Sequence, residues 1–259
     1  MKQIIKNFTK YKYLLVELIK KDITLKYRRS YLGILWTLIE PFLTMLVLTV
    51  VFSQLYGKED QAFPVYILSG RLLYSFFSGA TKAAMRSMRV NGQMIKKVYV
   101  PKYIYPLSSV LAQFVTFLIS LIVLILVAIY LRIKPSVYIL QSIIPLLILL
   151  IMSIGVGLIL ATLAVFFRDM EYLWGVILML IMYCSAIFYE PSRLIKRGHE
   201  WILKINPLYS IIQNFRNTVM YASPLSREEL IYSLAFSLLA LVVGTIMFYK
   251  SQDKFILYL

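Results

Sequence analysis

The sequence predicts an all-α integral membrane protein with six transmembrane helices, an N-terminal amphipathic interfacial helix, and short outer re-entrant helices between spans five and six. The first observation behind this is a set of six apolar stretches, 34–56, 63–84, 103–131, 137–167, 172–189 and 230–249, set against the roughly 20 residues that a spanning helix needs. The second is composition. With 259 residues, 60% of them hydrophobic and 15% charged, and a mean hydropathy of +0.76, no segment remains for a separate water-soluble domain, so residues 1–259 are expected to form one membrane domain. The third is the swing in Lys and Arg content: 9 before the first stretch, 1 after it, 6 from Lys82 at the end of the second through Lys102, 2 after the third and 1 after the fourth. That bias places the N-terminus in the cytoplasm, and six spans return the C-terminus to the same side. The 6 basic residues of 191–229 run against the bias. A net charge of +16 gathered beside spans suits anionic lipid head groups or a partner protein, and nucleic acid is not expected as a partner.

In chain order, residues 1–33 come first. At 100° per residue, Phe8, Tyr11, Leu14, Leu15, Leu18, Ile19 and Leu25 share one arc, and Lys6, Lys10, Glu17, Lys20, Lys21 and Lys26 take the other. This is the pattern of an amphipathic helix lying in the inner interface. Asp22 falls inside the apolar arc. No cleavable leader is expected, because the first long apolar run follows this charged helix. In span one, Glu40-Pro41 sets an ionisable group beside a proline that frees a backbone carbonyl, so a kink or a polar lining is expected. Span two carries Arg71, which either snorkels to the outer head groups or faces a polar pathway. Span three is apolar nearly all round and suits a packed or lipid-facing position. Span four holds Gly155, Gly157, Ala161 and Ala164, small residues that permit close helix contact within the chain or between subunits. Span five covers 172–189. The following 190–229 contains two apolar pieces, 201–207 and 211–221, each too short to span, which fit short interfacial or re-entrant helices on the outer face. Span six and a cytoplasmic tail occupy 230–259.

Signals for catalysis are sparse. The phosphate-cradling pattern G-x-x-x-x-G-K-[ST] does not occur in the sequence, so ATP-driven work needs another polypeptide. His199 is the sole histidine and Cys184 the sole cysteine, which argues against a metal site and excludes an intramolecular disulfide. Asp169 and Glu171 follow Arg168 directly, a grouping that suits an ion pair or a partner contact better than a catalytic dyad. Residues 85–101 mix exposed-type Met94 and Ile95 with Arg86, Arg89, Lys96 and Lys97 around Asn91-Gly92, as a protein-docking loop would. Most of the 20 tyrosines and 15 phenylalanines suit interfacial belts. Tyr74, Phe76 and Phe77 lie deeper, where rings either pack in the core or offer flat faces to sugar C–H groups.

Several stretches together resemble the permease subunit of ABC-type polysaccharide exporters, the group that includes teichoic acid and O-antigen transporters. They are Leu25-Lys26-Tyr27-Arg28-Arg29-Ser30-Tyr31-Leu32-Gly33-Ile34-Leu35-Trp36 leading to Pro41, Asn91-Gly92 through Ile95-Lys96-Lys97-Val98-Tyr99-Val100-Pro101 to Pro106-Leu107-Ser108, Phe167-Arg168-Asp169, Ile187-Phe188-Tyr189, and Asn206-Pro207-Leu208 with Phe215-Arg216. The chain departs from the usual pattern at Ala186, where a proline often stands, and at Arg71, where the residue is commonly apolar.

The resemblance implies two copies of this chain with two ATP-binding subunits in a bacterial cytoplasmic membrane, ATP and Mg being bound by the partner and no cofactor by this chain. It implies a polymer on a polyprenyl pyrophosphate carrier. Contacts to the ATPase would come from Lys26, Arg28, Arg29, Arg86, Arg89, Asn91, Gln93, Lys96, Lys97, Arg168 and Asp169. The substrate path would involve Glu40, Arg71, Tyr74, Phe76 and Phe77, and the outer gate Trp201, Asn206, Pro207, Tyr209, Phe215 and Arg216. Competing readings are an ABC exporter of drugs or other small molecules, and a membrane enzyme acting on polyprenyl-phosphate lipids. The latter lacks a convincing acid, base or metal cluster.

Overall fold

Residues 2–28, 30–56, 62–97, 100–133, 136–196 and 198–258 are described by a computed structural model. Arg29, Val98 and Tyr99, named above, lie outside the described residues, as do the side chains of Lys6 and Phe8. The described elements are helical: α1 (Lys2–Tyr27), α2 (Trp36–Tyr56), α3 (Phe63–Val90), α4 (Gly92–Lys97), α5 (Ile104–Tyr130), α6 (Ile143–Phe166), α7 (Met170–Tyr183), α8 (Ser192–Lys196), α9 (Glu200–Lys204), α10 (Pro207–Val219), α11 (Arg227–Ser251) and α12 (Phe255–Tyr258). Helix α3 is the axis, packing along α5 and α6, with α2, α7 and α10 against its other faces. One end of the bundle carries α1, α4 and α12; α8, α9 and α10 cap the other.

The apolar arc of α1 meets protein. Leu15 and Leu18 are buried with Met88, Ile104, Tyr105 and Leu158, although Leu25 of the same predicted arc is 55% exposed. Asp22, the polar residue in that arc, accepts a hydrogen bond from Ser109 Oγ of α5 at 3.0 Å. Beside it, Lys21 Nζ donates to Asn91 Oδ1 at 2.8 Å. The anomaly in the stripe is thus a pin that fixes α1 to the bundle. After α1 the chain turns at Gly33, whose φ of +50° is a left-handed conformation that only glycine adopts without steric cost.

Proline 41 lies inside α2 and cannot bond the carbonyl four residues earlier, that of Thr37. Ser120 Oγ of α5 donates to that oxygen at 2.9 Å, so the freed carbonyl becomes an interhelical tie. The small residues of α6 serve packing within the chain. A Cβ on Gly155 would fall 2.4 Å from Leu241 N, one on Gly244 would fall 2.4 Å from Gly155 O, and one on Gly157 would meet Ala84 Cβ at 2.9 Å. Helices α6 and α11 therefore touch backbone to backbone.

Among the described residues, four helical stretches are long and apolar enough to cross a membrane: Gly33–Ser53, Ile104–Tyr130, Val137–Phe166 and Arg227–Tyr258. The other two predicted spans differ for separate reasons. Helix α3 has ample length and lies largely inside the bundle, but it carries charged Arg71, half-buried, and Lys82, exposed, which lower its apolar character. Helix α7 stops at Tyr183, short of the predicted Tyr189, because Ala186 takes φ +48°, which no α-helix accommodates. The segment 184–189 is nonetheless buried, with Ser185, Ala186 and Ile187 at 0% exposure. Buried irregular backbone needs hydrogen-bond partners.

Candidate coupling face and buried arginine site

At the α1 end, the basic residues at the end of α3 are organised by one acid. Glu171, in the first turn of α7, binds Arg86 through Oε2 at 3.0 Å and Arg89 through Oε1 at 3.1 Å. Arg89 also donates to the Ala164 carbonyl near the end of α6 at 3.1 Å, a favourable place for a cation. Glu171 was noted in the sequence only as a neighbour of Arg168; its partners lie more than 80 residues away and no local pattern announces them. Arg168 and Asp169 are exposed at the α6–α7 corner, and Lys26 and Arg28 are exposed after the last turns of α1.

The loop 85–101 divides into inward and outward residues. Gln93, Met94, Lys96 and Lys97 are exposed, whereas Ile95 is buried. Asn91 is 8% exposed: it caps α3, its Nδ2 donates to Ser87 O at 2.8 Å, and its Oδ1 holds Lys21. Its side chain thus ties α1 to the end of α3.

Along the bundle, α7 lies antiparallel to α3 and is tied to it rung by rung. Trp174 Nε1 donates to Thr81 Oγ1 at 3.0 Å, with Phe77 edge-on to the Trp174 ring at 6.2 Å. Tyr74 donates to Leu178 O at 2.9 Å, and Arg71 reaches Met182 Sδ at 3.6 Å while lying over the Tyr74 ring at 5.8 Å. Phe76 faces the other way, stacked on Phe117 at 5.0 Å. Of the two readings left open for Tyr74, Phe76 and Phe77, the structure shows core packing, each ring being buried against α5 or α7. Glu40 is exposed on α2 and apart from them.

At the far end the same ladder terminates on Arg216 of α10. This guanidinium is 0% exposed. It donates to Ala186 O at 3.0 Å, to Tyr66 O at 3.0 Å, to Ile187 O at 3.4 Å and to Ser69 Oγ at 3.4 Å, and it stacks 3.5 Å from the centre of the Tyr66 ring. The Tyr66 hydroxyl, with its single proton, lies between two acceptors, Ala186 O at 2.9 Å and Tyr189 O at 2.8 Å. These are the carbonyls that the break in α7 exposes. A Cβ on Gly70 would fall 2.6 Å from Arg216 Nη2, so the glycine makes room for the cation. Burial draws the guanidinium below its ordinary pKa, yet arginine stays charged in proteins.

Of the predicted gate residues, Asn206 joins this network. Its Nδ2 donates to Ser185 Oγ at 2.8 Å, and its Oδ1 accepts from Leu208 N at 3.1 Å, capping α10, with Pro207 in the first turn. Phe215 is in the core, and Tyr209 packs beside Ala186 and Leu203. Trp201 stands apart, 59% exposed on α9. Tyr66, Ser69 and Gly70, which build the Arg216 site from α3, carry no sequence signal linking them to a residue about 150 positions later.

Two charged constellations thus stand at opposite ends of the helical bundle, joined by the α3–α7 ladder. Residues 13–220 match the ABC-2 type transporter family. The chain belongs to that family. Among relatives of this ABC-2 type transporter protein, the O-antigen export system permease protein RfbA of Klebsiella pneumoniae is 30% identical over 244 residues, covering 93% of each chain. The polysialic acid transport protein KpsM of Escherichia coli is 24% identical over 246 residues, covering 90% of this chain and 91% of its own. The capsule polysaccharide export inner-membrane protein CtrC of Neisseria meningitidis serogroup B is 22% identical over 242 residues, covering 90% of this chain and 89% of its own. Both ends of the ladder, Glu171 and Arg216, fall within the residues matched to the family.

Proposed function

We propose that this ABC-2 family chain is the transmembrane subunit of an ATP-driven exporter that moves a cell-surface polysaccharide across the bacterial cytoplasmic membrane on a polyprenyl pyrophosphate carrier. The observation that carries this reading is the near full-length similarity to O-antigen export permeases, 93% of both chains. The working unit is two copies of this chain with two ATP-binding subunits, which hold ATP and Mg. Six spans are proposed, α3 and α7 joining the four apolar helices, with both termini cytoplasmic and α8–α10 at the outer side as interfacial or re-entrant pieces. Arg28, Gln93, Lys96, Lys97, Arg168 and Asp169 are exposed at the α1 end, where a cytoplasmic partner would dock, and Arg86 and Arg89 stand behind them. Teichoic acid is a further polymer of the same class. Export of drugs or other small molecules, and lipid-phosphate enzymology, are disfavoured by the polysaccharide-export names of the relatives.

Deleting the gene and assaying polymer location tests the reading. The expected outcome is polymer accumulating inside the cell, restored to the surface by the wild-type chain together with a cognate ATP-binding subunit. The purified chain is expected to hydrolyse no ATP until that subunit is added. Surface polymer that is unchanged in the deletion strain overturns the assignment.

A further inference from the structure

We infer that the groove of about 1160 Å³ between α1, α5, α6 and α11 is a binding site for an anionic membrane phospholipid, with the phosphate held by lysines at the mouth and an acyl chain in the apolar floor. Leu107, Ile154, Leu158 and Phe248 line the floor. Ile154 lies 12 residues before the end of α6, so the floor reaches about 18 Å along the spans at 1.5 Å per residue. A cavity this large exceeds the roughly 300–1,000 Å³ usual for small-molecule sites, and its long apolar lower part suits a lipid tail.

The mouth has the opposite character. Lys10, Lys96, Lys97 and Lys102 line it, with Asp253 as the acid among the lining residues. Lys102 is partly engaged, donating to Gln252 O at 2.5 Å, while Lys10 and Lys97 are exposed. Tyr103 also lines the groove. Basic pockets at the ends of membrane helices recognise phospholipid head groups by this chemistry. A lipid-linked carrier shares the phosphate and tail, but the groove lies away from the α3–α7 ladder and the Arg216 site, and anionic phospholipid is the abundant ligand of the two.

Native mass spectrometry of the purified full-length chain, titrated separately with phosphatidylglycerol, phosphatidylcholine and a polyprenyl monophosphate, tests the site. One phosphatidylglycerol is expected to be retained with about tenfold or greater preference over phosphatidylcholine. Lys10→Ala combined with Lys97→Ala should remove that preference. Thr245→Trp, which fills the groove without changing charge, should weaken both phospholipids, with thermal unfolding showing that each variant remains folded. Equal retention of the two phospholipids, indifference to both variants, or displacement of phosphatidylglycerol by equimolar polyprenyl monophosphate overturns the inference.

Discussion

Arg216 is a buried cation that serves two carbonyls left by the break in α7, Ala186 O and Ile187 O, together with Tyr66 O and Ser69 Oγ of α3. Replacing it with Gln leaves Ile187 O without that donor and Ala186 O with only the Tyr66 hydroxyl, and an unsatisfied buried group costs about 1–3 kcal/mol, so R216Q is expected to destabilise the protein by about 3 kcal/mol, read as a lowered midpoint of thermal unfolding in detergent. Tyr66→Phe keeps the ring under the guanidinium and loses only the hydroxyl's bonds; a drop of about 1–2 kcal/mol is expected. A loss in R216Q no larger than in Y66F would show that the network is not cooperative. The sequence flagged Arg216 and Asn206 as belonging together but gave no hint of Tyr66 or Gly70, since a hydrogen bond between positions 150 apart leaves no periodic trace. Tyr74, Phe76 and Phe77 illustrate the converse: aromatic residues deep in a span satisfy both a path and a core, and only the covering helix decides between them.

At the level of single elements, apolar length and periodicity located the helices well, because the energetics of lipid burial act locally. The Pro41 effect was legible too, as a carbonyl set free; its partner, Ser120, was not. Ser120→Ala is expected to cost about 0.6 kcal/mol, the average for interhelical hydrogen bonds in membranes, and no more than about 1.7 kcal/mol, as a shift in denaturation midpoint. An unchanged midpoint would mean that Thr37 O finds another donor. The premature stop of α7 escaped prediction because Ala186, at φ +48°, replaces the Gly or Asn that normally marks a left-handed residue. Likewise the Gly155–Gly244 contact was half visible: small residues in α6 announced a close approach without saying whose backbone comes near.

For the whole molecule, orientation is the property on which the two ends differ. In a Cys184→Ser background, Arg28→Cys at the α1 end is expected to react with an impermeant maleimide only in inside-out vesicles. Lys196→Cys, in α8, is expected to react in intact cells. The reverse pattern would invert the proposed topology. The charge clamp supplies a second test at this scale. Glu171→Gln releases Arg86 and Arg89, both exposed, from a shared half-buried acid, so folding stability should fall by about 1 kcal/mol, while ATP hydrolysis in the assembled transporter is expected to continue with export reduced. Export at the wild-type level in that variant would relegate the clamp to local packing.

Helix α7 deserves its shortness. Its 14 residues make a rod about 21 Å long, gripped near its first turn by Arg86 and Arg89 and just beyond its last by Arg216. A shift of that rod along its axis has to be absorbed at both grips together.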